Sequence, residues 1–114
     1  MTLRNKNLVN GLAIGTSDTI LYTVPASLLR TILMHVRVTN NGAAVAVLKL
    51  WVLQPGDIIE DAKEAIINKN IGVDETVILT AIINDVINKG GSIHATSDLI
   101  DSLFFSASGL EVSS

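Results

Sequence analysis

Between Arg30 and Thr39 apolar side chains recur at every second residue: Ile32, Met34, Val36 and Val38 fall on one side, and Leu33, His35, Arg37 and Thr39 on the other. A period of two is the geometry of an extended strand, whose successive side chains point to opposite faces. The segment therefore predicts a β-strand with one buried face, Met34 and Val36 inward and His35 outward. Asn40-Asn41-Gly42 follows, and Asn and Gly tolerate the positive φ of a tight turn. Ala43 to Leu53 is then almost continuously apolar, with Lys49 its only charge. It predicts a second strand, paired antiparallel with the first.

Other segments read the same way. Pro-Gly in Gln54-Pro55-Gly56-Asp57 ends the second strand. Leu8 to Ile14 and Thr19 to Val24 flank the turn residues Gly15-Thr16-Ser17-Asp18, and Gly11 weakens the first of these strands. Pro25, with no N–H to give a ladder, closes the strand that holds Tyr22, whose apolar body and polar tip suit a strand meeting solvent or a neighbour. Further strands are predicted near Ala65 to Asn68, Glu75 to Ile82, Ser92 to Thr96 and Leu103 to Val112. The segment Ile82 to Ile87 reads two ways, because Ile82, Ile83, Val86 and Ile87 have helical spacing that would also allow one short helical turn. About eight short strands, with turn signals every 8–12 residues and no long amphipathic helix, define an all-β fold: a single antiparallel β-sandwich, jelly-roll-like, spanning 1–114. Residues 1–6 read as a flexible N-terminal arm.

Composition narrows the function. Hydrophobic residues make up 48% of the chain, charged residues 17% and aromatics 4%, against a norm of about 25% charged. Two readings account for this: neighbours in an assembly cover part of the surface, which is the preferred one, or a coat of Thr, Ser and Asn wets it. The net charge of −3 and scattered Lys and Arg give no footprint for nucleic acid. No apolar run approaches a membrane span or a secretory signal, and the lack of cysteine excludes thiol chemistry.

Tyr22-Thr23-Val24-Pro25-Ala26, Val36-Arg37-Val38-Thr39-Asn40, Leu48-Lys49-Leu50-Trp51-Val52, Gly91-Ser92-Ile93-His94-Ala95 and Ser106-Ala107-Ser108-Gly109-Leu110-Glu111-Val112 together resemble a family of small β-sandwich virion proteins of tailed bacteriophages. These serve as capsid decoration (cement), fibre-base or tail-accessory proteins. The resemblance covers roughly Thr19 to Val112. It departs from the family pattern at Ser27-Leu28-Leu29, where a glycine is usual, and in a longer Asp57 to Glu64 insertion. It implies a non-enzymatic structural protein, made in the host cytoplasm and carried in the virion. Its partners would be itself, with a homotrimer the first expectation, and the major capsid protein or other virion proteins. The rival readings are a tail, neck or baseplate accessory protein and a carbohydrate-binding module for host adsorption.

His35 and His94 have no Cys or His at ligand spacing, and each reads as an ordinary strand histidine. Asp57, Glu60, Asp61 and Glu64 are the best candidates for a bound calcium ion, but their spacing fits no calcium loop, and Glu60, Asp61 and Glu64 equally suit the opening of a short solvated helix. The segment Gln54 to Lys63 is expected to be exposed and dispensable for folding. Trp51 could be a sugar platform, yet a single tryptophan in a central strand is more often core. No Gly-x-Ser-x-Gly elbow and no phosphate loop is present. The sequence thus predicts no catalytic residue, no metal site and no cofactor.

Overall fold

A computed structural model describes residues 1–59 and 65–114. Nine strands form among these residues: β1 (Thr2–Ala13), β2 (Thr19–Thr23), β3 (Arg30–Asn40), β4 (Ala46–Leu53), β5 (Ile67–Ile71), β6 (Thr76–Ile78), β7 (Val86–Asn88), β8 (Ser92–Ser97) and β9 (Leu103–Ser113). One sheet runs β1-β9-β3-β6, with β7 also on β3; the other runs β2-β8-β4-β5. All pairings are antiparallel. β6 pairs with Arg37–Thr39 and β7 with Arg30–Ile32, so they are two halves of one interrupted edge strand. Counted so, the two four-stranded sheets have the order of a jelly roll.

The apolar alternation of the strands fills the space between the sheets. Leu33, Val36 and Val38 of β3, Leu48 and Leu50 of β4, Ile93 of β8 and Leu103 and Phe105 of β9 are all essentially inaccessible. Tyr22 reaches across from β2, and its hydroxyl lies 2.9 Å from Oγ1 of the fully buried Thr31 on β3. Burial raises the Tyr22 phenol above its usual range; the Thr31 hydrogen bond opposes this and the nearby Glu111 adds to it.

Several expectations are revised. β3 and β4 do not form a hairpin, because they lie in different sheets. The Asn40-Asn41-Gly42 segment crosses between the sheets, and Asn40 is buried at the crossing. Its Nδ2 donates to the carbonyls of Ala44 and Ile71, and its Oδ1 accepts from the Gly42 N–H. The expected arm is drawn into β1 from Thr2 onward and pairs along the end of β9. The helical turn lies slightly earlier than its spacing indicated, as a 3-10 turn at Thr80–Ile82, and Val86–Asn88 is strand. The strand expected from Ala65 begins at Ile67. A turn does form after Pro25 without glycine, closed by the Leu28 N–H on the Pro25 carbonyl.

The alternation of β3 is also broken. Its register against β9 shifts between Leu33 and His35, so Met34 is the extra residue of a β-bulge. Thr31 and Leu33 face inward before it, Val36 and Val38 after it, and Met34 and His35 both face out. Met34, expected in the core, is 36% exposed.

Three outcomes follow from this packing. Val36→Asp should abolish the urea unfolding transition, since a buried unpaired carboxylate costs several kcal/mol in a domain whose whole stability is about 5–15 kcal/mol. Met34→Asp should retain a cooperative transition, contrary to the simple alternation. Tyr22→Phe should cost about 1 kcal/mol by orphaning the Thr31 hydroxyl. Because folding raises the Tyr22 pKa, its contribution is complete below about pH 10 and is lost as pH rises through the folded value. Urea titrations should therefore show an alkaline loss that Tyr22→Phe reduces.

Candidate functional site

The outer face of the β1-β9-β3-β6 sheet is concave, because three bulges converge on one stretch of β9. On β3 the extra residue is Met34, opposite Ser108–Gly109. On β1, Leu8 is extra between Asn7 and Val9, and a second shift separates Val9 from Leu12. Gly11, at φ 65°, lies in that second bulge, and its N–H donates to Oγ of Ser106. Bulges add twist and redirect side chains. Glycine is required at position 109, where a Cβ would come within 2.2 Å of the Ile32 carbonyl oxygen.

Two depressions of about 430 and 390 Å³ result, and they share Asn7, His35 and Ser108. The register sets these residues in rungs. Asn7, Ser108 and His35 are in line across three strands, and Ser106, Arg37 and Ile78 form the next rung. Asn10 lines the first depression, and Lys6 and Met34 the second. Lys6 stands 3.8 Å from Glu111. His35 is thus exposed, as expected, but belongs to a lined groove that the sequence did not announce.

The other histidine is more tightly held. His94 Nδ1 lies 2.8 Å from Oδ1 of Asp18, and Nε2 lies 2.8 Å from Oγ of Ser92. Ser, His and Asp in this order are the constellation of nucleophilic catalysis, and no motif in the sequence announces it. Ser92 and His94, two apart on a strand, share a face, and this was readable; Asp18 comes from 76 residues away and was not. An acyl-transfer site also needs backbone donors beside the nucleophile. Here the N–H groups of Lys89, Gly90 and Gly91 are bound to the carbonyls of Leu29, Val24 and Asn88, and β8 is flanked by β2 and β4. The array therefore works as a clamp that pins the loop before β2 to β8.

Trp51 lies beside His94 in register and on the outer face of β4, half-buried, and not in the core as expected. Of the acidic candidates, Asp57 is exposed and closes a turn, its Oδ2 accepting from the Gln54 N–H. Glu60, Asp61 and Glu64 lie outside the described residues. Gln54 is not a dispensable residue: its side chain donates to the Val86 carbonyl and accepts from the Asn88 N–H, stitching β7 to the end of β4. Among the described residues no three His, Cys, Asp or Glu side chains gather as a metal site, and no helix is long and apolar enough to cross a membrane.

The fold and these two features define a jelly-roll β-sandwich with a polar groove on one sheet and a histidine clamp on the other. No known family and no curated protein matches the chain. Its fold is similar to that of a solved structure described as Bacillus endospore appendages, a family of disulfide-linked pili. The TM-score is 0.58 and the identity 7%, over 98% of this chain and 88% of the other. The likeness is one of fold. This chain has no cysteine, so it cannot form the disulfide links of that description.

The clamp makes its own prediction. A fluorophosphonate probe should leave Ser92 unlabelled, as read by mass spectrometry of the intact protein. Stoichiometric labelling at Ser92 would show that a nucleophilic site does operate there.

Proposed function

We propose that this chain is a structural subunit of an ordered protein assembly. One observation carries the reading: large apolar side chains stand exposed on the edge strands. Leu3 and Leu12 on β1, Ile20 on β2 and Val86 on β7 are 41–57% exposed, and these strands edge the two sheets. A strand edge already presents unpaired backbone donors and acceptors, and soluble domains usually protect it with charge. Apolar residues at the same edges, in a chain with only 17% charged residues, suit burial against neighbouring subunits. The likeness in fold to a pilus-forming protein agrees with a building-block role.

The resemblance described above suggests the setting: a tailed-phage virion, where the subunit acts as a capsid decoration protein or fibre base. A homotrimer at a junction of major capsid proteins would add buried apolar area and hold the shell against internal pressure. Its mechanism is mechanical and needs no cofactor. A tail or baseplate position keeps the same physics with different neighbours.

Light scattering at micromolar concentration should give a multiple of 12.1 kDa, three copies being the first expectation. Ile20→Asp with Val86→Asp should lower that mass without unfolding the chain. A single 12.1 kDa species across a wide concentration range would overturn the proposal.

A further inference from the structure

We infer that the groove on the β1-β9-β3-β6 sheet binds an anionic saccharide. Its floor lies on β9 and β3, each paired on both sides, so the main chain there is committed to the sheet. A bound peptide would find no strand edge, and any ligand must be held by side chains. Those side chains are suited to sugar hydroxyls. The amides of Asn7 and Asn10 and the hydroxyls of Ser106 and Ser108 can each donate and accept. Ser106 Oγ already accepts from Gly11, which leaves its proton to donate. Met34 and Ile78 offer apolar surface toward the two ends, where the C–H face of a sugar ring could rest.

Charge supplies the second half of the inference. The protein is net negative, yet the described residues lining the two depressions include no carboxylate. Lys6 shares its charge with Glu111. Arg37 makes no ion pair among the described residues, and it stands two residues from His35 on the same face, about 7 Å along the strand. A guanidinium beside an imidazole, flanked by amides and hydroxyls, suits a carboxylate or phosphate carried on a polyol backbone. Each depression falls within the roughly 300–1,000 Å³ of small-ligand sites, and their shared rung makes them adjoining subsites for successive sugar units. The groove opens on the outer face of its sheet, whereas the proposed subunit contacts run along strand edges, β1 included, so a subunit joined through β2 or β7 could still present it.

Calorimetry on the full chain tests this with four probes: hexagalacturonate, an oligomer of glycerol phosphate, neutral cellohexaose and inorganic phosphate. One of the first two should bind measurably at millimolar concentration or below, and at least tenfold more tightly than cellohexaose or inorganic phosphate. Which of the two binds identifies the anion. Arg37→Ala should weaken that binding tenfold or more, Asn7→Ala severalfold, and Arg37→Lys should recover part of the loss. Raising salt from 50 to 500 mM should also weaken it. Unchanged thermal melting in all three variants would separate loss of binding from loss of fold. Equal binding of cellohexaose, binding by inorganic phosphate as tight as by any saccharide, or affinity indifferent to Arg37→Ala would overturn the inference. So would the absence of binding by every probe. A change of assembly mass on Arg37→Ala without saccharide binding would make the face a subunit contact instead.

Discussion

Asn40 holds the two sheets in their relation. It ends β3 in one sheet, and its fully buried amide reaches the main chain of Ala44, before β4, and of Ile71, at the end of β5, in the other. Its own N–H donates to the Glu75 carbonyl, while its carbonyl accepts from Asp74. A buried amide costs free energy unless its groups are satisfied, and here donor and acceptor sides both are. Satisfaction occurs only when the chain leaves β3, passes over to the second sheet and places β5 beside β4 in the observed register. Hydrophobic burial drives the collapse but is indifferent to many pairings. This polar contact distinguishes one of them, as buried networks tend to do.

β9 plays a comparable part for the outer surface. It alternates strictly, in and out, from Leu103 to Glu111, while its neighbours β1 and β3 both slip against it near Ser108. A regular strand between two bulged ones bends the sheet without interrupting the core. The inward residues Val36 and Ala107 keep the core closed directly beneath the groove. Core and groove are two faces of one pairing pattern, and at Gly109 any side chain would run into the Ile32 carbonyl of β3.

Much of this architecture was legible in the residues, and the failures have physical causes. Strand positions followed from alternation and turn residues, and the two-sheet fold from their spacing. The bulge at Met34 was invisible because apolar and polar residues keep alternating through it, so an inserted residue leaves no mark in the pattern. Thr2 to Asn7 gave no signal, since both faces of β1 are largely exposed there and pairing with β9 alone makes it strand. Asn40-Asn41-Gly42 has hairpin composition, and only the partner of Asn40 decides that the chain crosses instead. The groove depends on bulges and the clamp on Asp18, both products of long-range register. Trp51 sits outside because the core positions of β4 fall at Leu48, Leu50 and Leu53.

The position of β9 also bears on how the protein is made. Of the nine strands described it is the last to leave the ribosome, and yet it lies between β1 and β3, the first and third. Until Leu103–Ser113 has emerged, β1 lacks the neighbour that holds it and the sheet has a gap at its middle. A nascent chain therefore cannot complete this domain progressively from its amino end. It must wait, with apolar faces uncovered, for distant segments to meet, a closure that is slow for non-local β topologies. Ribosomal pausing ahead of β9 would lengthen that exposed interval, whereas pausing after it would not.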